Sequence, residues 1–151
     1  ACIRVFGGNV PKGVSLEQAQ KWTIECAEEC CEYSGKRGVF LALENHGGIT
    51  ASAKEMLPIV QGVKSEWFGV NLDTGNFHTA DPYADIATMA PYAVTTHVKT
   101  HVGGKGADFE RIIKIMRSVG YRGYLSLEYE AKEDPRTAVP KTIRILRDLL
   151  A

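Results

Sequence analysis

Four short strand-like segments each end in a side chain able to bind a metal ion: Glu44 in VFLALENH, Asp73 in FGVNLDTG, His97 in AVTTHVKT and Glu128 in GYLSLEYE. They are 29, 24 and 31 residues apart, each interval about the length of one strand-helix-strand repeat. Parallel strands recurring at that interval bring all four ends to one edge of a sheet. Three carboxylates and an imidazole gathered there form a hard, oxygen-rich donor set suited to a divalent cation, with Mn²⁺ first and Mg²⁺, Co²⁺ or Zn²⁺ also accommodated. The absence of thiolates argues against a structural zinc site. Singly, each residue has a blander reading: Glu44 or Glu128 as a helix cap or ion-pair partner, Asp73 before Thr-Gly-Asn as an Asx-turn residue, His97 as a hydrogen-bonded core histidine. Four of them at matching ends of consecutive strands point to one shared ion.

The elements that must hold these residues alternate along the chain. Strands are predicted at about 2 to 6, 38 to 44, 68 to 73, 93 to 98 and 123 to 129, where β-branched and aromatic residues run between turn residues. Ser15 and Gln18 form a capping box ahead of a helix whose apolar residues Leu16, Trp22, Cys26, Cys30 and Tyr33 recur at helical spacing until Gly35. Ser52 and Glu55 open the next helix in the same way. Asp81-Pro82 and Asp134-Pro135 each set an N-cap residue before a proline, and Gly120 closes a helix built on Phe109, Ile112, Ile113 and Met116. The cysteines, Cys2 in a strand and Cys26, Cys30 and Cys31 in a helix, read as reduced packing residues.

Length and charge limit what such a chain can do. Its 151 residues form a single domain by size, able to bury roughly two thirds of the unfolded surface. Eighteen basic and eighteen acidic residues cancel, and no run of like charge suggests a nucleic-acid partner. No apolar stretch approaches the ~20 residues of a membrane span, and the N-terminus has no signal-peptide pattern, so a cytoplasmic location is expected.

Strand faces separate two α/β architectures. A doubly wound sheet is covered on both sides and needs strands apolar on both faces. Here Leu41 and Leu43, Val70 and Leu72, Val94, Thr96 and Val98, and Leu125, Leu127 and Tyr129 point one way. Arg4, Ala42 and Glu44, Asn71 and Asp73, Thr95, His97 and Lys99, and Ser126, Glu128 and Glu130 point the other. One apolar and one polar face is how a (β/α)8 barrel is built, with helices only outside and polar strand ends around the mouth. A whole barrel takes about 250 residues. The expectation is therefore a partial TIM barrel of about five parallel βα units, residues 1-151 forming its C-terminal portion.

At these residues the sequence resembles the xylose isomerase-like TIM-barrel superfamily of sugar isomerases and epimerases, whose last four strands supply metal ligands in the order Glu, Asp, His, Glu. LALENHGG, NLDTGNFHT, THVKT and LSLEYE match in order, strand context and spacing, with IRVFGG standing where the fourth strand would be. The resemblance implies that Glu44, Asp73, His97 and Glu128 hold the ion, that a substrate's carbonyl and neighbouring hydroxyl complete its coordination, and that Glu44 and Glu128 flank the reacting carbon as the catalytic pair. A carboxylate on one face then removes a proton beside a polarised carbonyl and its opposite number returns one. Return to the same carbon is epimerisation, return to its neighbour isomerisation, and loss of a β-hydroxyl dehydration. His46, Asn76 and Lys99 are candidate substrate contacts, Lys99 alternatively pairing with Glu130. His78 and His101 lie in loops beyond strand ends, and Trp22 and Trp67 read as packing residues. Ketose epimerases of the superfamily usually carry a histidine where this chain has Asn76 and often an arginine where it has Gly103, so no particular ketose is assigned.

The leading expectation is a metal-dependent sugar or polyol isomerase or epimerase, active once the barrel is completed by a homo-oligomer or by a missing N-terminal portion. A metal-binding partial barrel without turnover, or a dehydratase, is the alternative. The apurinic endonuclease branch is disfavoured by neutral charge and only four histidines.

Overall fold

The structure, a computed structural model, describes all residues 1–151. Five parallel strands form one sheet in the order β1 (Cys2–Phe6), β2 (Phe40–Glu44), β3 (Phe68–Asp73), β4 (Ala93–Val98) and β7 (Leu125–Leu127). Helices α1 (Leu16–Gly35), α2 (Ala53–Gly62), α3 (Pro82–Met89), α4 (Phe109–Ser118) and α5 (Pro135–Leu150) supply the crossovers and follow the last strand, the arrangement expected of a partial TIM barrel. No helix is long and apolar enough to cross a membrane.

Local signals start the helices where the sequence places them. The hydroxyl of Ser15 accepts from Gln18 N–H. Ser52 accepts from Glu55 N–H and donates to its carboxylate. Asp81, Asp108 and Asp134 cap the other three through their carboxylates. Each such cap contributes about 1 kcal/mol.

Every helix packs on the apolar face of the sheet. Leu43, Val70 and Leu72 meet Met56, Ile59, Ile86, Met89, Ile112 and Met116 in the main core. Val98, Ile113 and Leu146 form a second cluster under α4 and α5. Fully burying each of these side chains contributes roughly 1.5–3 kcal/mol. Thr96 also lies on this face, fully buried, its hydroxyl donating to the Tyr124 carbonyl.

Three expectations need correcting. Strands predicted at 38 to 44 and 123 to 129 are shorter, so Glu128 follows β7, although its N–H still donates to Val98 O. A two-stranded antiparallel hairpin, β5 (His101–Val102) and β6 (Lys105–Gly106), is absent from the prediction because Gly103-Gly104 lies between segments too short to show a period. The apolar stripe read on α1 is not its packed face. Trp22 and Tyr33 are 48% and 64% exposed, Cys26 and Cys30 are exposed, and the helix buries Ala19, Ala27, Cys31 and Ser34 instead. Of the four cysteines only Cys31 is a packing residue. The exposed stripe borders a groove of about 450 Å³ between α1 and β1. The outer edges of β1 and β7 have no partner strand.

The loops after β1 and β2 meet at a backbone contact that supports the mouth of the sheet. Ile49, buried in the main core, donates its N–H to Gly8 O at 3.0 Å. Gly48 has φ +55°, and a Cβ there would stand 1.9 Å from Gly8 O. Gly104 also has positive φ but open space around it. Gly48→Ala is expected to cost at least about 2 kcal/mol in urea unfolding and Gly104→Ala only about 1 kcal/mol, since the second substitution meets conformational strain without a clash.

Candidate metal centre

Strand register builds the site. Asp73 of β3 lies directly opposite His97 of β4, and the ladder between these strands slips at Val70/Asn71, where Val70 faces Ala93 but Asn71 faces Thr95. Continued without that bulge, the pairing would set Asp73 against Thr96 and turn His97 to the other face. Gly69 makes room for the irregularity, because a Cβ there would lie 2.4 Å from Val94 Cγ1. Glu44, at the end of β2, lies opposite Asn71. These registers put Glu44, Asp73 and His97 on one face, with one potential ligand atom from each all within 4.8 Å of one another.

The side chains around the triad fix it in place. Asn45, fully buried, donates to Asp73 O at 2.8 Å and accepts from Asp73 N–H at 2.9 Å, so one amide clamps the end of β3 to that of β2. Asn71 donates to Glu44 Oε2 and lies 3.3 Å from His97 Nδ1. Thr74 N–H donates to His97 O, and Lys99 N–H donates to the Thr74 hydroxyl, both at 2.9 Å. Asp73 makes the Asx turn through Oδ1, which accepts from Gly75 and Asn76 N–H groups, and its Oδ2 points elsewhere. The turn and ligand readings of this aspartate are thus compatible, one on each oxygen.

Glu128 joins from beyond β7. Its Oε2 is 3.1 Å from His97 Nδ1 and 2.7 Å from Lys99 Nζ, and Glu44 Oε2 is 3.2 Å from the same His97 nitrogen. Lys99, nearly buried, also donates to Glu130 Oε2 at 2.5 Å and stands 3.5 Å from Asp73 Oδ2. Arg4 Nη1 reaches Glu44 Oε2 at 3.3 Å and Glu128 Oε1 at 3.6 Å. The candidate contacts lie further out. His46 is exposed and tilts against Phe6 with ring centroids 4.7 Å apart. Asn76 borders a wholly polar cleft of about 220 Å³ with His78, Lys99, His101 and Glu130. Trp67 packs on Phe40 as expected, whereas Trp22 is half exposed.

A divalent cation fits this donor set. Glu44 and Asp73 are buried carboxylates, 1% and 0% exposed, and Glu44 Oε1, Asp73 Oδ2 and Glu128 Oε2 have no hydrogen-bond partner. Lys99 Nζ stands 2.7 Å from the last of these, so the unmet oxygens are those of Glu44 and Asp73. Buried carboxylate oxygens without donors are costly, and an ion that accepts them removes the cost. Burial pushes the Asp73 carboxyl up to about 7, with Lys99 and the Gly75 N–H opposing and Glu128 and Glu44 reinforcing the rise. Burial also works against the Glu128 carboxylate, but Lys99 and His97 outweigh it and hold this group below the ordinary range. The Lys99 ammonium resists deprotonation, because Glu128, Glu130 and Asp73 outweigh its own desolvation.

Sequence reasoning located the four strand-end residues and the Lys99–Glu130 pair. It placed Arg4 and Asn71 on the polar face without giving either a role, and it did not foresee the Asn45 clamp. The signal for Arg4 and Asn71 is their alternation with core residues, which puts them in the same row as the candidate ligands.

A parallel α/β sheet with helices on one face and a polar cluster at its carboxyl end is the architecture of a TIM barrel, whose sites gather at that face. The chain is a member of the xylose isomerase-like TIM barrel family, whose pattern matches residues 1–149. It is 27% identical to rhizopine catabolism protein MocC of Rhizobium meliloti, over 87% of this chain and 47% of that protein. It therefore spans about half the length of that relative. Among solved structures, it superposes on a D-tagatose 3-epimerase-like protein with TM-score 0.74 at 20% identity, over 99% of this chain and 64% of the other. The 3-keto-D-glucoside 4-epimerase YcjR of E. coli gives 0.73 at 15% identity, over 91% and 57%. The probable 3-DHS dehydratase AsbF of Bacillus anthracis gives 0.68 at 16%, over 99% and 62%. At these identities the structures establish a shared fold.

The raised Asp73 carboxyl makes a pH prediction for the cation-free protein. An unfolded aspartate titrates near 3.9, so between about pH 4 and 7 unfolding releases a proton that the folded state retains. The Asp73 contribution to stability is then largest below about pH 4, falls as pH rises to about 7, and levels off beyond. Over that window Asp73 is expected to account for up to about 4 kcal/mol of lost stability in urea titrations without metal. Asp73→Asn should remove this component of the slope.

Proposed function

We propose that this chain is the metal-binding, C-terminal portion of a sugar or polyol isomerase or epimerase, and that Glu44, Asp73, His97 and Glu128 hold one divalent cation, Mn²⁺ first. The convergence of Glu44, Asp73 and His97, with buried carboxylate oxygens that no protein donor satisfies, carries this reading. Family membership and epimerase neighbours point to sugar chemistry. Bound there, the cation would supply Lewis-acid polarisation of a carbonyl and stabilise the charge that develops on its oxygen.

The protein's own groups are suited to moving a proton beside that carbonyl. Glu44 and Glu128 both face His97 Nδ1, from β2 and from beyond β7, and are the proposed proton-transfer pair. Lys99 keeps Glu128 ionised, as a base requires. His46, Asn76 and Lys99 are proposed to orient substrate hydroxyls. Completion of the barrel by a second copy or by an N-terminal portion, and a cytoplasmic setting in keeping with four free thiols, belong to the same proposal.

The unpaired edges of β1 and β7 favour a second reading, a partial barrel that binds metal without turnover. Two measurements separate the cases. Millimolar Mn²⁺ should raise the melting temperature of the wild-type chain in a concentration-dependent way, by the equivalent of about 2.7 kcal/mol at a hundred times Kd, and Glu44→Ala or Asp73→Ala should abolish the effect. An unchanged melting temperature contradicts the metal site. Metal-dependent entry of solvent deuterium beside the carbonyl of a ketose, followed by NMR and lost in Glu128→Gln, supports turnover; metal binding without such exchange across a ketose panel supports the second reading.

A further inference from the structure

We propose that Arg4 is the resident counter-cation of the candidate metal centre, standing between Glu44 and Glu128 until a divalent ion displaces it. The inference rests on the metal reading above and adds a residue that neither the strand-end pattern nor the family likeness assigns.

Arg4 lies on the edge strand β1, in the same row of polar residues as the candidate ligands. A single guanidinium nitrogen, Nη1, spans two carboxylates that enter the site from opposite ends of the cluster, Glu44 Oε2 at 3.3 Å and Glu128 Oε1 at 3.6 Å. Glu44 Oε2 is already crowded, with Asn71 Nδ2 donating to it and His97 Nδ1 3.2 Å away, while Oε1 of the same carboxylate has no partner. A cation and a guanidinium near the same oxygens repel each other, so each weakens the other's hold.

Of the two fixed cations at the site, Arg4 is the one free to leave. Lys99 has a side chain only 10% exposed and is held by Glu128, Glu130 and Asp73 together. The Arg4 side chain is 42% exposed and is backed on one side by the Phe6 ring, 4.9 Å from its guanidinium carbon. That ring packs on His46, so the guanidinium has an aromatic rest at the rim once it lets go of the carboxylates. In the cation-free state Arg4 relieves the repulsion among the carboxylates. It also sets a threshold: a weakly held or monovalent ion does not gain enough from these oxygens to replace it.

The test is calorimetric titration of the full 151-residue chain with MnCl₂, for wild type, Arg4→Met, Arg4→Lys and Asp73→Asn. Methionine keeps an unbranched apolar stem beside Phe6, and Arg4→Gln, which retains a donor without charge, serves if the methionine variant folds poorly. The neutral variants are expected to bind Mn²⁺ about tenfold more tightly than wild type, with Arg4→Lys close to wild type and the gap narrowing at high salt because Arg4 is partly exposed. The same neutral variants should melt lower than wild type without Mn²⁺ and recover fully at saturating Mn²⁺, a crossing that a purely structural ion pair does not produce. Equal or weaker Mn²⁺ binding by the neutral variants, with binding abolished in Asp73→Asn, overturns the role of Arg4 and leaves the metal centre standing. Failure of every variant and of wild type to take up Mn²⁺ removes the metal reading, and the proposal with it.

Discussion

Two buried carboxylates, Glu44 and Asp73, hold more negative oxygen than the protein around them satisfies. Most of what is specific to the mouth of this sheet answers that constraint. Asn45 clamps the Asp73 backbone, Asn71 holds one Glu44 oxygen, Lys99 links Asp73 to Glu128 and Glu130, and Arg4 bridges the two glutamates. Lys99 Nζ comes no nearer than 3.5 Å to the free Asp73 oxygen, and no protein donor hydrogen-bonds the free oxygens of Glu44 and Asp73. Placing such groups away from water costs several kcal/mol per ion unless something pairs with them, and in a protein whose whole stability is about 5–15 kcal/mol that cost is selected against unless it serves chemistry.

The sheet can hold them there because its other face carries the stability. Leu43, Val70, Leu72 and Val98 bury against helices on one side, leaving the alternate positions free to be polar. A bulge at Val70/Asn71 then keeps Asp73 and His97 on the same face in adjacent strands. Core packing and site geometry are consequently two consequences of one register, and a slip of one residue between β3 and β4 would bury His97 in the apolar layer and turn core residues outward.

Much of this was legible in the sequence. Alternation in 68 to 73 and 93 to 98 marked the polar face, caps at Ser15, Ser52, Asp81 and Asp134 marked the helices, and the strand-end positions of Glu44, Asp73 and His97 marked the cluster. What could not be read depends on pairing between segments distant in sequence. The bulge opposite Val70 has no local signature, because an extra residue in one strand is defined only against its partner. Arg4 becomes a site residue through contacts with residues 40 and 124 positions away. On α1 the stripe from Trp22 to Tyr33 had the right period for burial, but the surface that would cover it is not among the packed elements, so the helix settled on its small face of Ala19, Ala27 and Cys31.

Glu44, Asp73, His97 and Glu128 are proposed to share one ion. Crystals grown with Mn²⁺ and measured for anomalous scattering test it most directly. A single strong manganese peak is expected within coordination distance of oxygens from Glu44 and Asp73 and a ring nitrogen of His97, with Glu128 as the fourth ligand. Crystals diffracting well in millimolar Mn²⁺ with no peak at the cluster, or with manganese bound only elsewhere on the surface, would contradict it.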